Sequence, residues 1–302
     1  MRSLPIQAVL VLAMLWGPPA ARAESPAEPP VRIGYAQSIF KGRNQTDTIA
    51  AMKFWAKTIA NDRGVPIDSR MAIFDTPEDA VAAVREKRID GVTLSLNEFA
   101  AFPPGLLGAP FVRDEANGVT HVVYVLVAAT NGPVRQVRDL RGARIVVHDG
   151  EYAGVGLAWL EAQLAVAGLG RLRDEAARMD LNEKPSGTVL PVFFGKADAC
   201  LVRRSAFDTA VELNPQVGAR LAIVAVSEPI IPSLLSFRVG VAEGPRDRLF
   251  REVLRIHETK TGQQVMTMFK CDRMAAVTSE EVDRSVRLLN DWQRVAAGGG
   301  PQ

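Results

Sequence analysis

Two stretches at an offset of 112 residues decide the fold: Val31-Arg32-Ile33-Gly34-Tyr35 and Ala143-Arg144-Ile145-Val146-Val147. Each reads as a buried strand. Behind each comes a helical stretch (48–60 and 154–167) and then a short strand (71–74 and 178–181). Thr76-Pro77-Glu78-Asp79 follows, an N-cap with proline at N1 and an acid at N3; its counterpart is Thr188, ahead of 189–194. Each second helix then ends in a basic-x-Asp step into a strand. These steps are Arg88-Ile89-Asp90 and Lys196-Ala197-Asp198, and their aspartates are 108 residues apart. The two offsets agree within four residues, so the chain reads as two similar βαβαβ half-units. Such alternation implies parallel sheets with right-handed crossovers. Ligands in open sheets of this kind sit beyond the carboxyl ends of the strands. Two lobes face to face would therefore gather their loops around one cleft.

Working outward, the first lobe spans 31–126, a hinge 127–132, the second lobe 133–226 and a second hinge 227–235. Residues 236–302 are expected to return to the first lobe and add the C-terminal helices. Two crossings permit closure around a ligand. Residues 1–23 read as a secretory signal: Arg2, an apolar run from Ile6 to Trp16, and Ala21-Arg22-Ala23 as the cleavage site. That run is too short to span a bilayer, and 24–30 forms a Pro-rich leader. The mature chain is expected to be soluble in the periplasm.

The whole chain carries 36 Lys+Arg against 34 Asp+Glu. Both surplus positives, Arg2 and Arg22, belong to the acid-free signal, so the mature chain is balanced. A nucleic-acid partner is excluded on this ground, because polyanions select a concentrated basic surface. Dividing roughly 280 mature residues by about 150 per domain also suggests two domains. Cys200 sits in an apolar strand and reads as a small core hydrophobe. A bridge from it to Cys271 stays open.

Several longer matches carry a family resemblance. They are Val137-Arg138-Asp139-Leu140-Arg141-Gly142-Ala143, Phe194-Gly195-Lys196-Ala197-Asp198-Ala199 and Ser227-Glu228-Pro229-Ile230-Ile231-Pro232. Over about residues 31–290 the chain resembles periplasmic solute-binding proteins of the phosphate/phosphite/phosphonate type, receptors of ABC transporters. The resemblance implies an α/β, two-lobed periplasmic-binding-protein fold with two crossovers, each lobe a βαβαβ-based, mostly parallel sheet flanked by helices. It also implies a small-molecule ligand and a membrane permease as partners.

Phosphonate binders of that family hold their anion with a Ser-Thr-Ser type cluster at a helix N-terminus after the first strand of the second lobe. Here that stretch is His148-Asp149-Gly150-Glu151-Tyr152-Ala153-Gly154. A like-charge contact at ~4 Å and an effective dielectric of ~20 costs about 4 kcal/mol. The ligand is therefore expected not to be phosphate or an alkylphosphonate. Strand-end geometry puts Tyr35 and Ser38 of the first lobe at the cleft, together with Ser95, Asn97 and Glu98. Tyr35 can equally be core, and Ser95, Asn97 and Glu98 can equally cap a helix. In the second lobe the candidates are Asp149, Glu151, Tyr152, Ser186, Thr188 and Arg203. Thr188 can be a plain N-cap, while Arg203 or Arg204 can pair with a ligand anion or with Glu98.

An alternative is a carrier of an apolar, lipid-like (for example sterol-like) alcohol, whose hydroxyl meets Glu98, Glu151 and Tyr152. It would hand over to an export or trafficking partner. A ligand-loaded partner of a membrane sensor is a third reading. The sequence has no G-x-S-x-G elbow, P-loop or H-E-x-x-H. No enzyme activity, cofactor or metal is expected, and the receptor is expected to be a monomer.

Overall fold

The computed structural model describes residues 29–298. The secretory segment, most of the leader and the last four residues lie outside them. The first half-unit comprises β1 (Ile33–Ala36), a 3-10 turn (Gln37–Phe40), α1 (Gln45–Arg63), β2 (Ala72–Phe74), α2 (Pro77–Arg85), β3 (Gly91–Ser95), α3 (Leu96–Ala101) and β4 (Leu107–Glu115). The second comprises β5 (Tyr124–Ala129), β6 (Arg144–His148), α4 (Ala153–Val166), α5 (Leu172–Glu175), β7 (Arg178–Asn182), α6 (Pro185–Phe193), β8 (Ala199–Arg203), α7 (Arg204–Leu213), α8 (Pro215–Arg220) and β9 (Leu221–Val226). The chain closes with β10 (Ser233–Arg238), α9 (Glu243–Leu254), α10 (Lys260–Phe269), β11 (Arg273–Val277) and α11 (Ser279–Ala296).

Local chemistry sets the helix ends. The Asn44 side chain accepts from the Asp47 amide to start α1, and Gly64 ends it at φ 62, where a side chain would be strained. Thr76 caps α2 with Pro77 behind it, as its sequence implies. The counterpart differs. α6 begins at Pro185 with Lys184 as N-cap, so Thr188 lies inside the first turn and its hydroxyl donates to the Lys184 carbonyl at 3.1 Å.

The strands form two sheets, in the orders β11-β4-β10-β3-β1-β2 and β7-β6-β8-β5-β9. Each has a parallel trio with its first strand in the middle, β2-β1-β3 and β7-β6-β8. Beside each trio lies an antiparallel strand, β10 in the first sheet and β5 in the second. The Arg32 amide donates to Asp90 just before the start of β1, and the guanidinium of Arg32 grips the same carboxylate through Nε and Nη2. Arg144 binds Asp198 through the same three donors. The basic-x-Asp steps are thus one structural device used twice: the aspartate ties its own strand to the central strand of its parallel trio.

The pairing of β5 moves the first crossing upstream. Residues 124–126, read as the end of the first lobe, and 127–129, read as hinge, are strand in the second sheet. The apolar run fits either sheet by composition, and only its partners decide. The crossing is the segment 116–123, which hydrogen-bonds side by side with the second crossing through Val122 and Ile230. β10 likewise begins three residues before the expected strand at 236. The return segment contains β11 besides its helices. Its last helix, α11, leaves the first lobe. It packs along α4 of the second, and Ser285 accepts a hydrogen bond from the Ile231 amide of the second crossing. Cys200 and Cys271 are buried free thiols.

Candidate functional site

The loops that follow β1 and β6 face each other across the cleft with opposite charge. Lys41-Gly42-Arg43 stands on one side and Asp149-Gly150-Glu151 on the other, each pair of partners 108 residues apart. Lys41 Nζ lies 2.5 Å from Asp149, and Arg43 Nη2 lies 2.5 Å from Glu151. Glycine is required at both loop centres for local reasons: Gly42 lies at φ 74, and a Cβ on Gly150 would come within 2.6 Å of the His148 ring. The outer pair is half-exposed. The inner one is buried, with Arg43 1% and Glu151 10% exposed at the side chain, so its rupture would strand a charge. Burial pushes the Glu151 carboxyl up, and Arg43 opposes that shift. Arg43 is itself fixed by the Met268 carbonyl at 2.9 Å and by the ring of Phe269.

Beyond Glu151, Tyr152 caps α4 in the left-handed region, at φ 61 and ψ 20. For a residue with a Cβ this costs about 1–2 kcal/mol. Burial offsets it: the ring sits among first-lobe residues such as Ala36, Ile39 and Phe74, and the Tyr152 carbonyl accepts from Tyr124 Oη at 2.9 Å. Asn97 of α3 closes the other side. A Cβ on Gly154 would lie 2.6 Å from Asn97 Nδ2, so any larger residue at 154 would force Asn97 to move. Asn97 thereby crowds the N-terminus of α4, which no side chain caps.

The open part of the cleft lies beside it, next to the first crossing, with a volume of about 560 Å³. Its walls include Lys41, Arg113, Asp114, His148, Arg203 and Lys270. Asp114 is held by Arg113 at 3.6 Å, and Asp208 by Arg204 at 3.2 Å. Arg203 is half-buried, makes no ion pair among the described residues, and keeps a buried Nε with no acceptor. It is also the N-cap of α7, a ten-residue helix with no side-chain cap and no acid in its first turn. The Arg204 amide donates to the Val123 carbonyl at 2.7 Å; the later amides of that turn and the guanidinium together form a positive end suited to an anion. His148 beside it is held below the ordinary histidine pKa, first by burial and then by Arg203. No cluster of three or more His, Cys, Asp or Glu among the described residues is arranged to hold a metal.

The sequence model of a family described as the periplasmic substrate-binding protein of a phosphonate ABC transporter matches residues 40–282. The chain belongs to this family. Among solved structures, this phosphonate-type binding protein is similar to XAC2383 from Xanthomonas citri bound to chloride. The TM-score is 0.61 at 14% identity, covering 89% of this chain and 99% of the other. A binding-protein component of an ABC phosphonate transporter from Pseudomonas aeruginosa gives 0.58 at 11%, covering 90% and 89%. PhnD1 from Prochlorococcus marinus, in complex with methylphosphonate, gives 0.56 at 15%, covering 86% and 97%. These likenesses show the two-lobed periplasmic-binding-protein fold. No curated protein sequence matches the chain. No helix among the described residues is long and apolar enough to cross a membrane.

Within this phosphonate-type protein the expected site residues separate by what each one touches. Glu151 and Arg203 line the open cleft, with Glu151 already paired. Ser38, Ser95 and Glu98 satisfy one another: Glu98 accepts from the Ser38 hydroxyl at 2.9 Å and from the Ser95 amide and hydroxyl at 2.8 and 2.7 Å. Asp149, Tyr152 and Asn97 make the interlobe contacts described above, and Tyr35 packs on Phe40 with its ring centroid 6.1 Å away. Burial raises the Tyr35 phenol. Ser186 is exposed and Thr188 is buried in α6. The carboxylates that the alcohol reading assigned to a ligand hydroxyl, Glu98 and Glu151, are both engaged within the protein.

Lys41, Arg43, Arg113 and Lys270 were missed. A signal existed for the first two: K-G-R and D-G-E stand at equal places of the repeat with opposite charges. Arg113 and Lys270 come from β4 and the end of α10, outside the repeated units, and no spacing marks them.

Proposed function

We propose that this chain is the periplasmic receptor that captures a small organic anion, other than phosphate, between its lobes and presents it unchanged to a membrane permease. The observation that carries the reading is Arg203, an unpaired guanidinium at the uncapped end of α7 in the open cleft. A planar carboxylate or similar oxyanion matches the guanidinium fork. Phosphate is disfavoured because the end of α4, where the resemblance puts the anion, is crowded by Asn97 and lies in a loop whose charges are already paired with Lys41 and Arg43. The receptor does no chemistry; it closes and opens around its ligand as a soluble monomer after loss of the signal. An adjacent permease and ATPase in the genome would favour uptake over docking on a membrane sensor.

Native mass spectrometry of the protein purified from periplasm tests this. An organic anion is expected to co-purify intact. Arg203→Gln is expected to lower its affinity about 10- to 100-fold, the loss of a charge-assisted contact. A chemically altered ligand, or submicromolar affinity for inorganic phosphate by calorimetry, refutes the proposal.

A further inference from the structure

A second cavity, of about 90 Å³, lies inside the first lobe between its sheet and the pair α1 and α10. Tyr35, Val112 and Leu235 form its floor, Trp55 and Met266 its roof, and the lining is predominantly apolar. Protein interiors hold few voids larger than a water molecule. An apolar void of ~150 Å³ stays dry and takes up benzene, so one about three-fifths that size suits a short hydrocarbon segment. Two features connect this void to the cleft. Arg113, Asp114 and Phe269 line both spaces, so they adjoin. One wall of the void is Tyr152, which comes from the second lobe.

We infer that the ligand is an amphipathic organic anion, its charged head in the cleft by Arg203 and a short apolar tail past Phe269 into the first lobe. This rests on the anion reading above. The acid at the junction does not repel the head strongly, because Asp114 is paired with Arg113. Tyr152 makes tail entry depend on lobe motion: it leaves with the second lobe on opening, and on closure it seals the tail in. Ligand length is thereby read by the first lobe and ligand charge by the second.

Calorimetry of the mature protein with the unbranched alkanoates from acetate to octanoate tests this. Affinity is expected to rise roughly fourfold per methylene and to level off when the void is full. Ala56→Leu, which fills the void from α1, is expected to remove the gain and leave acetate binding unchanged. Should that variant misfold, ω-bromohexanoate is expected to quench a fluorescence component that Trp55→Phe abolishes. Acetate and octanoate binding equally, both weakened by Arg203→Gln, would leave the anion reading standing and overturn the tail. Hexanol binding as tightly as hexanoate would overturn the charged head, and no binding by any alkanoate would overturn both readings.

Discussion

The same strand-to-helix junction occurs once in each lobe, and the two copies do different things. Ser95-Leu96-Asn97-Glu98 begins α3, and Arg203-Arg204-Ser205-Ala206 begins α7, 108 positions further on. At their far ends the strands β3 and β8 are tied by the same Arg–Asp clamp. At the cleft, Ser95 and Glu98 form a reciprocal capping box that uses up the helix end internally. In the second lobe alanine stands where Glu98 stands and arginine where Ser95 stands, so no side chain caps the helix, and its Arg204 amide is met only by the Val123 carbonyl. One carboxylate at the third helical position separates a junction that serves stability from one available to a ligand. The same division runs through the neighbouring loops, where the Lys41-Gly42-Arg43 and Asp149-Gly150-Glu151 copies spend their charges on each other.

The largest difference should lie in the clamps. Asp90 is nearly buried and shared between Arg32 and Arg238, whereas Asp198 is held by a half-exposed Arg144. Asp90→Ala is expected to cost about 3–5 kcal/mol in denaturant unfolding, as for other broken buried pairs. Asp198→Ala should cost about 1.5 kcal/mol. Equal losses would break the comparison. Burial works against ionisation of Asp90, but the bonds from Arg32 and Arg238 outweigh it and hold the carboxyl below the usual range. The Arg144 hydrogen bond does the same for Asp198. A lowered folded pKa contributes stability that is fully present above the ordinary value of 3.8 and is lost as pH falls through the lowered one. Asp90→Asn and Asp198→Asn should therefore flatten the acid limb of stability against pH.

Next come the facing loops. Glu151→Ala strands the buried Arg43 charge and should shift the balance toward the open form by about 3 kcal/mol, seen as a larger radius of gyration in solution scattering. Lys41→Ala removes only the half-exposed pair and should change little, about 0.5 kcal/mol or less. If the two variants scatter alike, the inner pair does not hold the lobes together. The one expected gain in stability belongs to a transplant, Arg203→Ser with Ala206→Glu, which rebuilds the first lobe's capping box in the second. It should raise stability by about 1 kcal/mol while abolishing anion binding. Retained binding would show that the open junction is not the ligand's anchor.

Legibility in the sequence followed the same line. Strands β1, β2, β6 and β7 and the helices after them were readable because apolar runs, caps and the two aspartates repeat locally. That β5 belongs to the second sheet was not readable, because its partners β8 and β9 lie about 75 to 100 residues away. The site residues divided similarly. Glu98 and Ser95 follow a capping-box spacing that the sequence displays, and Arg203 stands at a strand end. That Asp149 and Glu151 are consumed by Lys41 and Arg43 required knowing how the lobes face.

Alone, the sequence determined the two half-units, their α/β character, the repeated basic-x-Asp step and the family, because these rest on residues close along the chain or at a constant offset. The tertiary structure decided which charges remain available. Pairing across the cleft joins residues 108 positions apart and neutralises the acids that the sequence placed in the anion site. It also folds Tyr152 into the opposite lobe and leaves Arg203 with no carboxylate. A charge is countable from composition, but whether it meets a partner or a ligand depends on distances that only the closed arrangement of the lobes sets.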